Sequence, residues 1–235
     1  MSNPYFRFRQ FTVWHDRCAM KVGTDGVLLG AWAWVDGCSR VLDVGCGSGV
    51  ISLMAAQRTS SVQVFGIDVE PKAVGQAKEN VSNSPYADRI VIHEIDVRDF
   101  VGKFDCIVCN PPFFVEDTVS PNENRAIARS STELTYEELW HAVNRLNMDD
   151  GVFNVVIPRD SFAMFTSIAI SFGYDVYRKL VVRTVQGKQP KRILLTYRKG
   201  RCDIKEDGEL VLQNSDGSRT DEYNQLTAEF YLPVP

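Results

Sequence analysis

A short apolar run is followed directly by closely spaced glycines in the stretch Arg40-Val41-Leu42-Asp43-Val44-Gly45-Cys46-Gly47-Ser48-Gly49. The run up to Val44 predicts a buried strand, and the apolar pattern from Val50 to Arg58 predicts a helix immediately after the glycines. Strand, glycine turn and helix form the first unit of a Rossmann-like α/β fold, because glycine allows a tight turn and a close approach of backbone to ligand. The spacing is Gly-x-Gly-x-Gly, which taken alone is a weak signal of ligand binding.

Three further apolar runs predict strands, and a polar side chain follows each of them. The carboxyl ends of parallel strands share one edge of an α/β sheet, and ligands bind at that edge. An acid after the second strand is placed to accept hydrogen bonds from a ribose diol. An acid after the third is placed to face the exocyclic amine of an adenine, or else it is a simple turn residue. The runs and their polar residues are 62–67 with Asp68, 89–95 with Asp96, and 104–109 with Asn110.

The fourth strand ends in Asn110-Pro111-Pro112-Phe113. Two consecutive prolines cannot continue a strand ladder or start a helix, so the amide and the aromatic ring are held rigidly at the strand end. The Asn110 side-chain oxygen and the Pro111 carbonyl can accept the two N–H bonds of a planar amino group. Phe113 offers a face on which a base can stack, worth ~1–3 kcal/mol. A turn that merely ends a strand is the alternative interpretation.

The charge of the chain is unevenly distributed. The net charge of −4 over 235 residues argues against a generally basic nucleic-acid-binding protein. Residues 178–201, however, hold nine Lys and Arg and no acid. We expect this basic strip to contact phosphates, although polar outward faces of strands would look the same.

Other features exclude several classes of protein. No apolar run approaches the ~18 residues of a membrane span, and the first residues lack an apolar signal core, so a cytoplasmic protein without a membrane partner is expected. The six cysteines are scattered. Cys106 and Cys109 lie in a predicted strand, where side chains three residues apart point to opposite faces, so buried filling is expected. The three histidines are dispersed, and no metal is expected.

The order of predicted elements is four βα units, a helix, a fifth strand, a helix and a closing pair of strands. This order resembles the class I S-adenosylmethionine-dependent methyltransferases. Residues 43–49 are similar to the cofactor loop of that group, and Asp68 lies where its ribose-binding acid lies. The resemblance implies an α/β, Rossmann-like class I methyltransferase fold, with a mostly parallel seven-stranded sheet, an antiparallel C-terminal strand and helices on both faces. It implies S-adenosylmethionine as cofactor, and residues 110–113 are similar to the tetrad of enzymes that methylate planar amino groups.

A closer resemblance covers nearly the whole chain. Residues 15–32 and 226–232 look like the bacterial tRNA(1)(Val) adenine-N6-methyltransferases, as do Gln57-Arg58-Thr59 and Asn83-Ser84-Pro85. That family methylates the adenosine immediately 3′ of the anticodon, so the resemblance implies tRNA as the partner. Residues 21–26 are similar to the cofactor motif that precedes its first strand. Thr24 and Asp25, which also suit the N-cap of a helix over 27–34, thereby become expected cofactor neighbours.

The expected organisation is an N-terminal strand or hairpin extension over residues 1–24, then a methyltransferase domain with a short C-terminal tail over residues 25–235. A monomer is expected. The expected catalytic residues are Asn110, Pro111, Pro112 and Phe113. The expected cofactor-binding residues are Lys21, Thr24, Asp25, Asp43, Gly45, Gly47, Gly49, Asp68 and Asp96.

Alternatives to tRNA adenine methylation stay open at this point. Phe113 stands where the family would have Tyr, and the same tetrad occurs in ribosomal RNA guanine-N2 methyltransferases. Release-factor glutamine methyltransferases use a related tetrad, but residues 1–24 are too short for their extra N-terminal helical domain. A non-catalytic RNA-binding protein is a fourth possibility. The polar residues 116–131 are predicted to form a lid beside the site.

Overall fold

The computed structural model describes residues 3–111 and 134–233. In chain order its elements are β1 (Tyr5–Arg7), β2 (Thr12–Trp14), α1 (Thr24–Trp32), β3 (Arg40–Val44), α2 (Val50–Arg58), β4 (Gln63–Asp68), α3 (Pro71–Ser82), β5 (Ile90–Glu94), β6 (Phe104–Cys109), α4 (Tyr136–Leu146), β7 (Asn147–Pro158), a 3₁₀ turn (Arg159–Ser161), α5 (Phe162–Ser171), β8 (Tyr174–Val185), β9 (Arg192–Lys199), β10 (Glu206–Gln213) and α6 (Asp221–Thr227).

A mixed sheet formed by eight of these strands organises the fold, in the order β10-β8-β9-β7-β6-β3-β4-β5. Five adjacent strands are mutually parallel, namely β7, β6, β3, β4 and β5. β9 is antiparallel to both of its neighbours, β7 and β8. The Rossmann-like fold with an antiparallel strand near the C-terminus is therefore confirmed. The count of seven strands is wrong by one, because Glu206–Gln213 pairs in parallel with β8 as an eighth strand.

Two apolar cores lie on the two faces of the sheet, as strand alternation requires. On β6, Cys106 packs into the core with α1, α2 and α3, whereas Cys109 packs into the core with α4 and α5. Both thiols are buried and free, which confirms the filling role predicted for them. Trp140 of α4 is fully buried in the second core. Helices thus cover both faces, as expected for a doubly wound sheet.

The N-terminal hairpin is tied to the C-terminal tail. β1 and β2 pair antiparallel. Arg9 donates its backbone N–H to the Phe230 carbonyl at 2.8 Å and its Nε–H to the Tyr231 carbonyl at 2.7 Å. The rings of Phe8 and Tyr231 stack at 6.1 Å between centroids. Within the described ranges, no helix is both long and apolar enough to cross a bilayer.

Candidate active site

A cavity of about 600 Å³ opens at the carboxyl edge of the strands β3, β4, β5 and β6. The segment between β2 and α1 closes its opposite side. Predicted site residues that line it are Lys21, Thr24, Asp25, Gly45, Gly47, Asp68, Asp96, Asn110 and Pro111. Asp43 and Gly49 do not line it. Pro112, Phe113 and the proposed lid 116–131 lie outside the described residues.

The glycine loop after β3 is hydrogen-bonded to the end of β4. The backbone N–H groups of Gly45 and Cys46 both donate to the Ile67 carbonyl, at 2.9 and 3.0 Å. Gly45 and Gly47 have φ of +68° and +54°, in the left-handed region that favours glycine. A Cβ added to either would meet no protein atom within 4 Å. The loop thus leaves open space beside its backbone, where a ligand can approach.

Asp68 joins that loop to the start of α3. Its Oδ2 accepts the backbone N–H of Gly47 at 2.8 Å, and its Oδ1 accepts that of Glu70 at 2.9 Å. These bonds fix the orientation of the carboxylate. Because a carboxylate oxygen has two acceptor positions, both oxygens can accept a further hydrogen bond from a ligand.

Asp43 lies beneath the loop, at 0 % exposure. Its Oδ2 accepts a hydrogen bond from Ser52 Oγ at 2.6 Å, and no described residue donates to its Oδ1. Burial raises the pKa of Asp43 to about 7, against the opposing effect of the Ser52 bond. The side chain thus connects β3 to α2 below the loop instead of facing the cavity, and its expected cofactor contact stays a prediction. Gly49 similarly forms the turn into α2, with φ of +81°.

Asp96 follows β5 and forms an ion pair with Arg98. Arg98 donates its backbone N–H and its Nε–H to Asp96 Oδ1, at 2.8 and 3.0 Å, and it also pairs with Glu138 of α4 at 3.2 Å. The hydrogen bonds from Arg98 lower the pKa of Asp96. Asp96 is thus an anion whose oxygens are already engaged, which leaves it less acceptor capacity than the sequence interpretation assumed.

The loop after β5 has a support that the sequence did not reveal. Arg145 of α4 donates its Nη2–H to the carbonyls of Val97 and Arg98 at 2.8 and 3.1 Å, and its Nη1–H to that of Phe100. Backbone carbonyls carry no side-chain signal, and Arg145 is far from them in sequence, so no pattern could have identified this contact.

The opposite wall comes from the first turn of α1. The N-cap of α1 is Gly23 and makes no side-chain cap, so the interpretation of Thr24 or Asp25 as a cap is wrong. Both residues begin the helix and line the cavity instead. Asp25 Oδ2 accepts a hydrogen bond from Arg192 Nε at 2.8 Å.

Asn110 lines the cavity, and its side-chain oxygen is buried. No described residue donates a hydrogen bond to its Oδ1, although that atom is buried. Pro111 follows it on the same wall. Gly26 packs close by, since a Cβ added there would lie 3.8 Å from Asn110 Nδ2. Leaving a buried acceptor unsatisfied costs ~1–3 kcal/mol, so this atom is suited to a ligand that brings its own donor.

Several lining residues were missed by sequence reasoning. Met20 and Val69 are 63 % and 59 % exposed on the rim of the cavity, and Cys109 and Leu134 also line it. Their only signal is adjacency to a predicted site residue or strand end. Apolar side chains at such positions are otherwise indistinguishable from surface residues that serve no site.

Comparison with known proteins assigns this architecture. A family model described as "Methyltransferase small domain" matches residues 31–178. A tRNA1(Val) (adenine(37)-N6)-methyltransferase of Bacteroides thetaiotaomicron is 45% identical over 239 residues, covering 99% of this chain and 99% of that protein. One of Yersinia enterocolitica, with the same name, is 41% identical and covers 97% of this chain and 92% of that protein.

Solved structures share the fold at low identity. A protein described as a predicted O-methyltransferase, from Agrobacterium tumefaciens, superposes with a TM-score of 0.69 at 18% identity, over 88% of this chain and 96% of that chain. P. horikoshii TYW2 in complex with MeSAdo superposes with a TM-score of 0.58 at 19% identity, over 83% of this chain and 70% of that chain. At such identities the likeness concerns the fold alone.

Proposed function

The chain belongs to the methyltransferase small-domain family and to the tRNA1(Val) (adenine(37)-N6)-methyltransferases, and we propose that it methylates N6 of adenosine 37 in tRNA1(Val) with S-adenosylmethionine as methyl donor. That adenosine lies immediately 3′ of the anticodon. The proposal is supported by relatives of that name that are 41% and 45% identical over nearly the whole chain. The partner is then tRNA, and the place of action is the cytoplasm.

One observation carries the assignment of the acceptor site: the buried Oδ1 of Asn110 lacks a donor among the described residues and belongs to a residue of the cavity wall. An exocyclic amino group supplies such a donor. The second N–H of the amino group is assigned to the Pro111 carbonyl, directly after Asn110 in the chain. The proline fixes this geometry before the base arrives, so little ordering is required.

The cavity fits the cofactor. Its wall carries the acids Asp25, Asp68, Glu70 and Asp96 against the bases Lys21 and Arg98. This excess of acids favours a ligand that bears a sulfonium and an ammonium group. The open space beside the glycine loop admits a ligand close to the backbone. The bound cofactor supplies an electrophilic methyl group on a positively charged sulfur.

The residues proposed to hold the cofactor follow from this geometry. Asp68 is assigned to the ribose hydroxyls, because both of its oxygens are oriented by backbone N–H groups and keep acceptor capacity. The loop at Asp96 is assigned to the adenine of the cofactor. Gly45 and Gly47 form the floor between them. Lys21, Thr24 and Asp25 close the cavity from the side of α1.

Orientation is the main contribution of this chain to the reaction. The lone pair of an adenine amino nitrogen is delocalised into the ring, so the nitrogen is a poor nucleophile in its planar state. Asn110 and Pro111 hold both N–H bonds and so direct the lone pair toward the methyl group. The same two acceptors stabilise the positive charge that develops on the nitrogen as it becomes tetrahedral. The proton released afterwards passes to solvent.

The test compares three acceptors. The protein is incubated with labelled S-adenosylmethionine and either total tRNA from cells lacking this modification, ribosomal RNA or release factor, and the modified residue is identified by mass spectrometry. We expect N6-methyladenosine in tRNA alone. N2-methylguanosine in ribosomal RNA, or methylglutamine in release factor, without methylated tRNA would overturn the proposal. Heat-inactivated protein is the control for background labelling.

A further inference from the structure

Most of the basic strip 178–201 is neutralised in the folded protein. Of its nine Lys and Arg, five form ion pairs. Three of the acids come from β10, which lies in parallel register beside β8. The pairs are Arg178–Glu206, Lys179–Asp207, Arg183–Glu209, Arg192–Asp25 and Lys199–Asp149. The strip as a whole therefore offers fewer unpaired cations to phosphates than its sequence suggests.

Two of the four remaining cations lie close together, whereas Arg198 and Arg201 are at or beyond the other end of β9. Lys188 and Lys191, in the turn between β8 and β9, are exposed and form no ion pair with any carboxylate of the described residues. Arg159, just after β7, is also exposed, with its guanidinium 5.5 Å from the ring centroid of Phe162. These three residues and Arg192 line an open groove of about 910 Å³, hereafter the hairpin groove, in which the lining acid is Asp160.

The hairpin groove lies on the same edge of the sheet as Asn110. β7 ends at Pro158 and β9 begins at Arg192, so both reach the carboxyl edge at which β6 leads into Asn110. Neighbouring strands are ~4.8 Å apart, and β6, β7 and β9 are consecutive, so β9 lies about 10 Å from β6. Pro158, which pairs with Arg192, lies three residues beyond Val155, the partner of Cys109. Arg192 belongs to the groove and bonds Asp25 of the cavity wall at 2.8 Å.

Resting on the proposed function, we infer that the hairpin groove binds backbone phosphates of the tRNA next to the nucleotide that is methylated. A protein of net charge −4 needs a local cationic surface to hold a polyanion. Here that surface lies beside the acceptor site rather than along the whole strip. Phosphate contacts fix the register of a nucleic acid without reading its sequence. The groove thus sets which nucleotide reaches Asn110.

The test uses charge reversal with a matched control. Lys188→Glu and Lys191→Glu alter the groove. Arg201→Glu makes the same change in the same strip, at an exposed residue beyond the other end of β9. The dissociation constant of each purified variant for unmodified tRNA is measured between about 50 and 200 mM salt. Circular dichroism and S-adenosylmethionine binding show that each variant is folded.

We expect each groove variant to bind tRNA about five- to tenfold more weakly near 0.1 M salt, with the slope of log K against log salt reduced by about one. Arg201→Glu should change neither quantity by more than about twofold. Unaltered affinity and slope in both groove variants would overturn the inference. An equal loss in Arg201→Glu would also overturn it, because it would indicate a diffuse electrostatic effect.

These readouts are separate from those of the proposed function. If the groove variants lose tRNA affinity while wild-type protein forms no N6-methyladenosine, the groove is supported and the proposed reaction fails. If methylation occurs and the groove variants bind tRNA normally, the reaction stands and the groove fails.

Discussion

Gly47 donates its backbone N–H to Oδ2 of Asp68 at 2.8 Å. The glycine loop after β3 and the acid that ends β4 are thereby one rigid unit, reinforced by the bonds from Gly45 and Cys46 to the Ile67 carbonyl. The floor of the cavity and the group assigned to the ribose are thus in place before a ligand binds. This preorganisation reduces the entropic cost of ligand binding.

Gly47→Ala tests the floor of the cavity, with Gly217→Ala as its control. Both glycines have positive φ, +54° and +86°, and a Cβ at either meets no protein atom within 4 Å. Each substitution should lower the free energy of unfolding by about 1–2 kcal/mol, because alanine is strained in this region. We predict that Gly47→Ala alone weakens S-adenosylmethionine binding, by about tenfold in calorimetry, since its methyl group occupies the cavity. Equal cofactor affinities in the two variants would contradict this.

Asp43 makes stability depend on pH. Burial raises its pKa from 3.8 to about 7, so the folded state binds the proton more tightly than the unfolded state. The stability that Asp43 contributes is therefore fully present below about pH 4 and is lost as pH rises from there through about 7. Asp43→Asn stays neutral and escapes this loss. We predict that the free energy of unfolding of Asp43→Asn, minus that of wild type, rises between about pH 4 and pH 8, by at most about 4 kcal/mol at ~1.4 kcal/mol per pKa unit.

Ser52→Ala is the companion variant in the same urea-denaturation series. Ser52 lowers the pKa of Asp43 through its hydrogen bond, so removing it should extend the loss of stability to higher pH. A difference between Asp43→Asn and wild type that stays constant across this pH range would show that folding does not raise the pKa of Asp43.

Arg145→Lys tests the support of the loop after β5. The substitution keeps the charge and removes the fork that bonds the carbonyls of Val97 and Arg98. Arg89→Lys is a matched control, because Arg89 bonds the carbonyls of Thr59 and Ala56 away from the cavity. Both should lose about 1–2 kcal/mol of stability. We predict weaker cofactor binding, by roughly three- to tenfold, for the Arg145 variant alone; similar losses of affinity in both would refute this local role.

Asn110→Ala separates the acceptor site from the cofactor site. Without the side-chain acceptor, we predict a fall of at least about 100-fold in the single-turnover rate of methyl transfer, comparable with the loss of one preorganised group at a charged transition state. The dissociation constant for S-adenosylmethionine should stay within about twofold. Asn110→Asp keeps a side-chain acceptor beside the Pro111 carbonyl and should lose less activity. Loss of cofactor binding in Asn110→Ala would mean that this residue does not belong to the acceptor side.

The sequence predicts those parts of the site that depend on strand order. Asp68 and Asn110 directly follow apolar runs, and parallel strands bring their carboxyl ends to one edge, which is where both residues line the cavity. The Gly-x-Gly-x-Gly turn can likewise be predicted from adjacent residues alone. The start of helix α4 is local too, because Thr135 and Glu138 stand three residues apart and form a capping box there.

Other parts depend on register and distant contacts, which local patterns do not encode. The pairing of β10 with β8 places Glu206 opposite Arg178 and Asp207 opposite Lys179, and this neutralises charges that look unpaired in the sequence. Arg145 acts on backbone carbonyls more than 40 residues away. Such contacts become visible only once the sheet order is known.

The most direct test of the proposed reaction uses two tRNA1(Val) transcripts that differ only at position 37, adenosine in one and guanosine in the other. Each is incubated with the protein and labelled S-adenosylmethionine, and the modified nucleoside is located by mass spectrometry. We predict one methyl group per adenosine-37 transcript, on N6 of that nucleotide, and none on the guanosine-37 transcript. Equal methylation of both transcripts, or a methyl group at any other position, would contradict the assignment of the adenosine 37 amino group as the acceptor.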